Sequence, residues 1–406
     1  METYAALFRT KEFTPLFVTA SAQVAASTVS GLALGSLVYA GTGSPLLAAV
    51  SLFGASFAQA VGAATVLSAA DRVPPRAAIT LLAVLFMAGT AVSAAPGLPV
   101  WSLLAIQLVL GLASSAGGGI RWGLLTEILP ADAYILGRSV FQMAVGAMQI
   151  GGFAVGGAIV AALSPRTALL AGAGLYLVAA LAARFGLTAR PPRSTGRASI
   201  RETLRVNAAL LSSPARRAVY LALWVPNGLV VGCEALFIPY APDSAGVLFI
   251  AAALGMLAGD ATMGRWTPRR WRNRLITPLR LLLAVPYLIF ALPLPLPAAV
   301  AAIALASAGY AAGLLLQDRL VALTPDEMRG QALGLHSSGM LTMQAVGATL
   351  AGSVAQLTGA GTAMTVMAVA SVAVTLALTP ALRPRTSPPE AAADPTDRTP
   401  TTRARS

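Results

Sequence analysis

The arginines of this chain occupy every second gap between its apolar stretches, and that alternation constrains the fold more than any single motif. The gaps after about residues 40, 95, 164, 240, 292 and 358 hold only Arg166 and Asp243 as charged residues. The other gaps hold Arg72 and Arg76, then Arg138, then a run from Arg184 to Arg217, then Arg265 to Arg274, and finally Arg319 and Arg329. Short loops that are alternately basic and neutral belong to polytopic membrane proteins, because Lys and Arg are retained on the cytoplasmic side. The pattern therefore predicts a multi-pass protein of the cell inner membrane with both termini in the cytoplasm.

A helix needs about 20 apolar residues to cross roughly 30 Å of hydrocarbon. Twelve stretches meet that need, near 14–40, 45–70, 77–95, 100–124, 136–163, 167–187, 218–240, 244–264, 276–292, 298–317, 331–357 and 360–380. Their Ala, Gly and Leu runs favour helices over the short alternating strands of a barrel. A chain with 56% apolar and 11% charged residues has no stretch for a soluble enzyme domain. The net charge of +13 is read as attraction to anionic lipid. Nucleic acid is not an expected partner, since aromatic residues are not interleaved with the basic runs. With one cysteine, Cys233, and one histidine, His336, there is no internal disulfide and no Cys or His cluster for a metal. No phosphate-binding Gly-rich loop with Lys is present, so direct ATP drive is not expected, nor is any cofactor.

The chain divides near its middle into 1–187, a polar segment 188–217, 218–380 and a tail 381–406 expected to be disordered. Ser199 to Glu202 fits a capping box. With Ile200, Leu204 and Leu211 on one side, a short amphipathic helix on the cytoplasmic membrane surface is expected. A shift of 195 residues superposes Pro130 on Pro325, Met148-Gln149 on Met343-Gln344, Gly152 on Gly347 and Gly157 on Gly352. The echo is sparse, but it pairs the fourth-to-fifth span region with the tenth-to-eleventh. Two six-helix halves with an even span number must run parallel, related by an axis along the membrane normal.

Over about residues 10–380 the chain resembles the major facilitator superfamily. The loop after the second span, Ala-Asp71-Arg72-Val-Pro-Pro-Arg76, is similar to the family's Gly-x-x-x-Asp-Arg-x-Gly-Arg-Arg signature, with Leu67 at the leading Gly and Pro74-Pro75 at the inner Gly-Arg. Thr42-Gly-Ser-Pro45, Leu129-Pro-Ala-Asp132 with Arg138, and Thr324-Pro-Asp-Glu-Met-Arg329-Gly fall where members carry similar loops. The fifth span, Gly152-Phe-Ala-Val-Gly156-Gly157, resembles the antiporter signature without its proline. Where the fourth span often has an arginine four residues before a Gly, Gln107 precedes Gly111 here. The resemblance implies an all-α membrane protein of two parallel-repeat six-helix bundles. It also implies proton-coupled efflux of a small organic molecule by alternating access, with a site near the midplane between the halves. An importer or facilitator of the same fold, or a non-transporting membrane sensor, stays open at this point. A monomer is expected.

Ionisable groups inside spans are costly, by about 2.5–3.5 kcal/mol each on insertion scales, so they mark candidate sites. Glu234 in the seventh span is a candidate proton carrier or partner of a cationic substrate; the alternative is an acid reaching the rim near Tyr240 and Asp243. Arg121, late in the fourth span, either binds an anionic group in a cavity or pairs with Glu127 or Asp71. Gln23, Ser27, Gln107, Gln149 and Gln344 are candidate cavity-lining groups, and Pro226-Asn227-Gly228 is expected to weaken the seventh helix at a gate. Asp71, Arg72, Arg76 and Arg138, with Asp260, Arg265, Asp318 and Arg319 in the second half, form a candidate conformational latch of charges pairing across loops.

Overall fold

A computed structural model describes residues 4–65, 73–191, 200–266 and 269–382. Asp71, Arg72, Ser199 and the tail 383–406 lie outside them. Twelve long helices follow one another: α1 Phe13–Thr42, α2 Pro45–Thr65, α3 Pro75–Ser93, α4 Val100–Ile128, α5 Ala131–Ala162 and α6 Pro165–Gly186, then α7 Pro214–Ala235, α8 Ala245–Trp266, α9 Arg269–Ala284, α10 Leu296–Ala322, α11 Arg329–Thr358 and α12 Ala360–Leu382. Helices satisfy their own backbone groups, as hydrocarbon demands. Local chemistry sets the starts. Proline occupies the first turn of α3, α6 and α7, and Ser164 and Ser213 accept backbone N–H bonds at the N-caps of α6 and α7. Among the described residues eleven helices are long and apolar enough to cross a membrane. The twelfth, α11, is 30 residues long but carries polar groups along its length, among them Gln331, His336, Thr342, Gln344 and Gln356.

The 195-residue echo has a structural meaning. A Cβ on Gly152 of α5 would lie 2.9 Å from Thr28 of α1, and its counterpart Gly347 of α11 packs on the backbone of Gly228 in α7. Gly157 of α5 faces Gly246 of α8, at 3.1 Å from a built Cβ, and its counterpart Gly352 of α11 faces Leu46 of α2 at 2.7 Å. Each pair thus makes first an intra-half contact and then a contact to the other half. The glycines are spaced so that backbones approach where side chains would block them.

The halves meet at the end away from the termini. Phe153 stacks on Phe249 with centroids 4.6 Å apart, the Ser44 hydroxyl donates to Gln356 Oε1 at 2.9 Å, and Ala49, Ala235 and Ala348 form one buried cluster. Toward the terminal, arginine-bearing end the α5–α8 seam parts. Gly146 lies on the same face of α5 as Gly157, three turns nearer that end, and a Cβ there would meet nothing within 4 Å. On α11, Gly334 lies on the same face as Gly352, five turns nearer that end, and no described atom lies within 4 Å of a Cβ built there. The α5–α8 seam therefore opens at the terminal end.

Several expectations change. α7 runs helical through Pro226, and Gly228 serves as a packing surface for Met343 and Gly347. The irregular backbone lies instead in α9, which tightens into a 3-10 segment over Val285–Ala291, and in α10, which has a 3-10 turn at Gly309–Ala311. The linker helix forms, as Ile200–Ser212, but Leu204 is exposed. Val206, Leu210 and Leu211 pack it against α7 and its neighbours, and Gln331 of α11 donates to Asn207 at 2.8 Å. It is docked on the second half by that apolar face.

Candidate functional site

A cavity of about 440 Å³ lies inside the first half between α1, α2, α3, α4 and α6. The expected place was between the halves; every residue lining this cavity comes from the first. Small residues supply the room, with Gly31, Ala55, Gly111 and Gly117 on its walls, and Gln23, Ser27, Gln59, Gln107, Arg121 and Tyr176 supply the polarity. Arg121 donates through Nη2 to Gln23 Oε1 at 2.9 Å. Glu127 pairs with Arg190 at 3.4 Å, while Arg121 meets Gln23 at the cavity; Asp71, the other expected partner of Arg121, lies outside the described residues. Gln107, Ser27, Gln23 and Arg121 are brought together as candidates; Gln149 and Gln344 line other surfaces. Gln59 and Tyr176 were not singled out in the sequence. A polar amide in the second span was the available signal for Gln59, whereas Tyr176, stacked on Phe86 at 5.4 Å, gave none.

The second half holds a separate polar group. Glu234 turns inward to α10, where the Tyr310 hydroxyl donates to its Oε1 at 2.9 Å, and does not reach the rim near Asp243. Tyr310 sits in the 3-10 turn, and Gly309 before it packs against the backbone of Leu279 and Leu283 in α9. That close approach brings Arg280 of α9 to the same place. Arg280 is 1% exposed, and its Nε, Nη1 and Nη2 have no hydrogen-bond partner. Together with Asn227, whose buried Oδ1 is also unpartnered, and Tyr310, it lines a cavity of about 30 Å³. The rule that singled out Glu234 applies equally to Arg280, which stands inside the ninth span; the adjacent Arg265–Arg274 run disguised it as topology.

At the terminal end, Arg76 reaches the Leu187 carbonyl at 3.5 Å, Arg138 lies 5.2 Å over the Trp122 ring, and Arg319 donates to the Leu382 carbonyl. Asp260 is half-buried and ion-pairs with none of the described residues, while Asp318 precedes Arg319 on α10. The Arg265 side chain is outside the description. The clasp found here is a different one: Glu12 accepts from Arg190 at 2.7 Å and from Thr188 at 2.6 Å, and Arg190 also meets Glu127. It ties the start of α1, the end of α4 and the segment after α6 within one half. Burial alone would raise the Glu12 carboxyl, but the bonds from Thr188 and Arg190 outweigh it and hold the group below its usual range.

Helical bundles that meet at one end, with polar groups inside otherwise apolar helices, are an architecture found in membrane transporters. The Major Facilitator Superfamily profile matches residues 240–405. The fold matches a transporter of the POT family solved with a thioalcohol-conjugated peptide, at TM-score 0.73 and 12% identity over 92% of this chain and 96% of that one. It also matches the nucleoside transporter NupG at TM-score 0.71 and 12% identity, over 92% of this chain and 100% of that one. A bacterial homologue of the human lysosomal transporter Spinster, solved inward-facing and unoccupied, matches at TM-score 0.69 and 14% identity over 91% and 95%. Among curated protein sequences there is no match. Residues 240–405 thus carry the major facilitator profile, and the chain as a whole has the fold of these transporters.

Proposed function

We propose that this protein is a secondary active transporter that exports a small organic anion in exchange for protons. The observation that carries the substrate class is Arg121, fixed by Gln23 in a cavity of about 440 Å³. That volume falls within the usual range for small-molecule sites. A guanidinium offers a planar fork of donors matched to a carboxylate or phosphate, and Gln59, Gln107 and Ser27 offer amides and a hydroxyl for the remaining polar atoms. Glu234 supports the proton reading, being a carboxyl inside a span whose hydrogen-bond partner is a neutral hydroxyl. In this reading the first bundle, 1–187, carries the substrate and the second, 218–380, carries the coupling, joined through 188–217. The arginine-bearing end faces the cytoplasm by the positive-inside rule, so the open α5–α8 seam makes this an inward-facing state. Export rests on the likeness of α5 to the antiporter signature. The Asp71 loop, with Arg72, Arg76 and Arg138, is the proposed latch of the opposite state, in which the terminal ends would close.

The test is transport by the reconstituted full-length protein in liposomes, with a panel of carboxylates and cations of cavity size. We expect counterflow of an organic anion, with Arg121→Gln raising KM by about tenfold, the loss of one charge-assisted contact. Glu234→Gln should retain counterflow and lose accumulation driven by a pH gradient. A substrate set confined to cations removes the role of Arg121, and full pH-driven accumulation by Glu234→Gln removes that of Glu234.

A further inference from the structure

We infer that Arg280 holds a small monoatomic anion, of halide size, inside the second half. The site is distinct from the 440 Å³ cavity and independent of which solute is carried. Arg280 is 1% exposed, and three of its side-chain nitrogens are buried without an acceptor. A guanidinium does not escape this by giving up its proton. An uncompensated buried charge costs several kcal/mol, so folded proteins place a counter-charge beside it. The chain's own carboxylate of that region, Glu234, accepts from Tyr310 and makes no hydrogen bond to Arg280. Water satisfies donors but leaves the charge unbalanced, whereas an anion does both.

The space selects the ligand. The cavity beside Arg280 measures about 30 Å³, bounded by Pro226, Asn227, Leu283, Tyr310, Gly313 and Leu316. That is room for a monoatomic anion or about two waters. Asn227 adds a switchable wall. Its Oδ1 is unpartnered, and because amide oxygen and nitrogen are interchangeable by a half-turn, the Nδ2 can be presented to the ion as a donor. Gly313 keeps the space open, since a Cβ there would meet nothing within 4 Å. Arg280 and Tyr310 are held together by Gly309, which lets α9 and α10 touch backbone to backbone.

The experiment uses the full-length protein in detergent, exchanged into sodium gluconate. Sodium chloride or bromide is then added, with sodium gluconate and sodium sulfate at matched ionic strength as controls. The melting midpoint should rise saturably by about 2–4 °C with either halide and not with the controls, as ligand linkage requires. Halide NMR linewidth should broaden in parallel. Arg280→Gln should abolish both responses. Gly313→Val, which fills the space while keeping the guanidinium, should abolish them too, and it decides the matter if Arg280→Gln does not fold. A rise equal in gluconate or sulfate, no rise with halide, or a halide-specific rise that survives in Gly313→Val would each overturn the assignment.

Discussion

The seam between α5 and α8 offers a direct test of the two-seam geometry through Gly246→Ala. A Cβ on Gly246 would lie 2.9 Å from the Gly157 Cα and 3.2 Å from the Phe153 carbonyl oxygen, where ordinary contact begins at 3.4 Å. Both neighbours are backbone, so no side chain can swing aside and the helices must part. Overpacking of this kind costs about 1–3 kcal/mol. Parting the helices also loosens the Phe153–Phe249 stack, an aromatic pair of the sort worth about 0.5–1.5 kcal/mol. The penalty falls only on the state in which this end is closed. The ratio of closed to open molecules should therefore fall by about 5- to 150-fold. Spin labels at Thr42→Cys and Thr358→Cys, at the ends of α1 and α11, report the separation of the halves there; native Cys233 is buried and can be replaced by serine. The distance distribution should gain a longer population in Gly246→Ala and keep its form in Gly174→Ala, where a Cβ meets nothing within 4 Å. Identical distributions in Gly246→Ala and the parent, at equal stability, refute the claim that this seam is the closed gate.

Three further outcomes follow from the geometry. Glu12 has a lowered carboxyl pKa in the folded state, so its contribution is fully present above the unfolded carboxylate value and is lost as pH falls through the folded one. Glu12→Gln should lower the melting midpoint at pH 7, by the loss of about 1.5–3 kcal/mol, and its deficit should shrink toward pH 3; a deficit constant with pH contradicts the clasp. Gly309→Ala would drive a Cβ into the backbone of Leu279 and Leu283, and thermal unfolding should show a loss of about 1–3 kcal/mol. Tyr310→Phe removes the hydroxyl that Glu234 accepts from. It should slow pH-driven transport by about tenfold or more while leaving counterflow KM unchanged, which flux assays in liposomes separate.

What the sequence revealed depended on how local the physics was. The alternation of arginines and the apolar run lengths act within one span at a time, and they placed twelve helices with boundaries shifted by only a few residues. The glycine echo was legible because Gly152 and Gly157 repeat the spacing of Gly347 and Gly352, and spacing along a helix is a statement about faces. The pairing of Arg121 with Gln23, across 98 residues, had no local signal, and the nearer Glu127 looked the better partner. The 3-10 turn at Gly309 was hidden for the same reason: what requires it is the backbone of α9, far away in sequence.

The two arginines inside the bundles show why a repeat can be legible while its chemistry is not. Below the main cavity a smaller one is walled by Thr19 and Gln23 of α1, Ile79 and Leu82 of α3, and Gly117 and Arg121 of α4. The cavity at Arg280 is walled by the corresponding helices of the second half: Pro226 and Asn227 of α7, Arg280 and Leu283 of α9, and Tyr310 and Gly313 of α10. Each half thus places one guanidinium in the pocket between its first, third and fourth helices. In the first half it comes from the fourth helix and in the second from the third, so no alignment of the halves pairs Arg121 with Arg280. The frame was duplicated, and the charge was supplied separately in each copy. The outcome is asymmetric, since Arg121 is held by Gln23 beside a cavity of about 440 Å³ while Arg280 is left without an acceptor beside one of about 30 Å³. A fixed guanidinium beside a large space suits a solute; an unpaired one beside a small space calls for an ion.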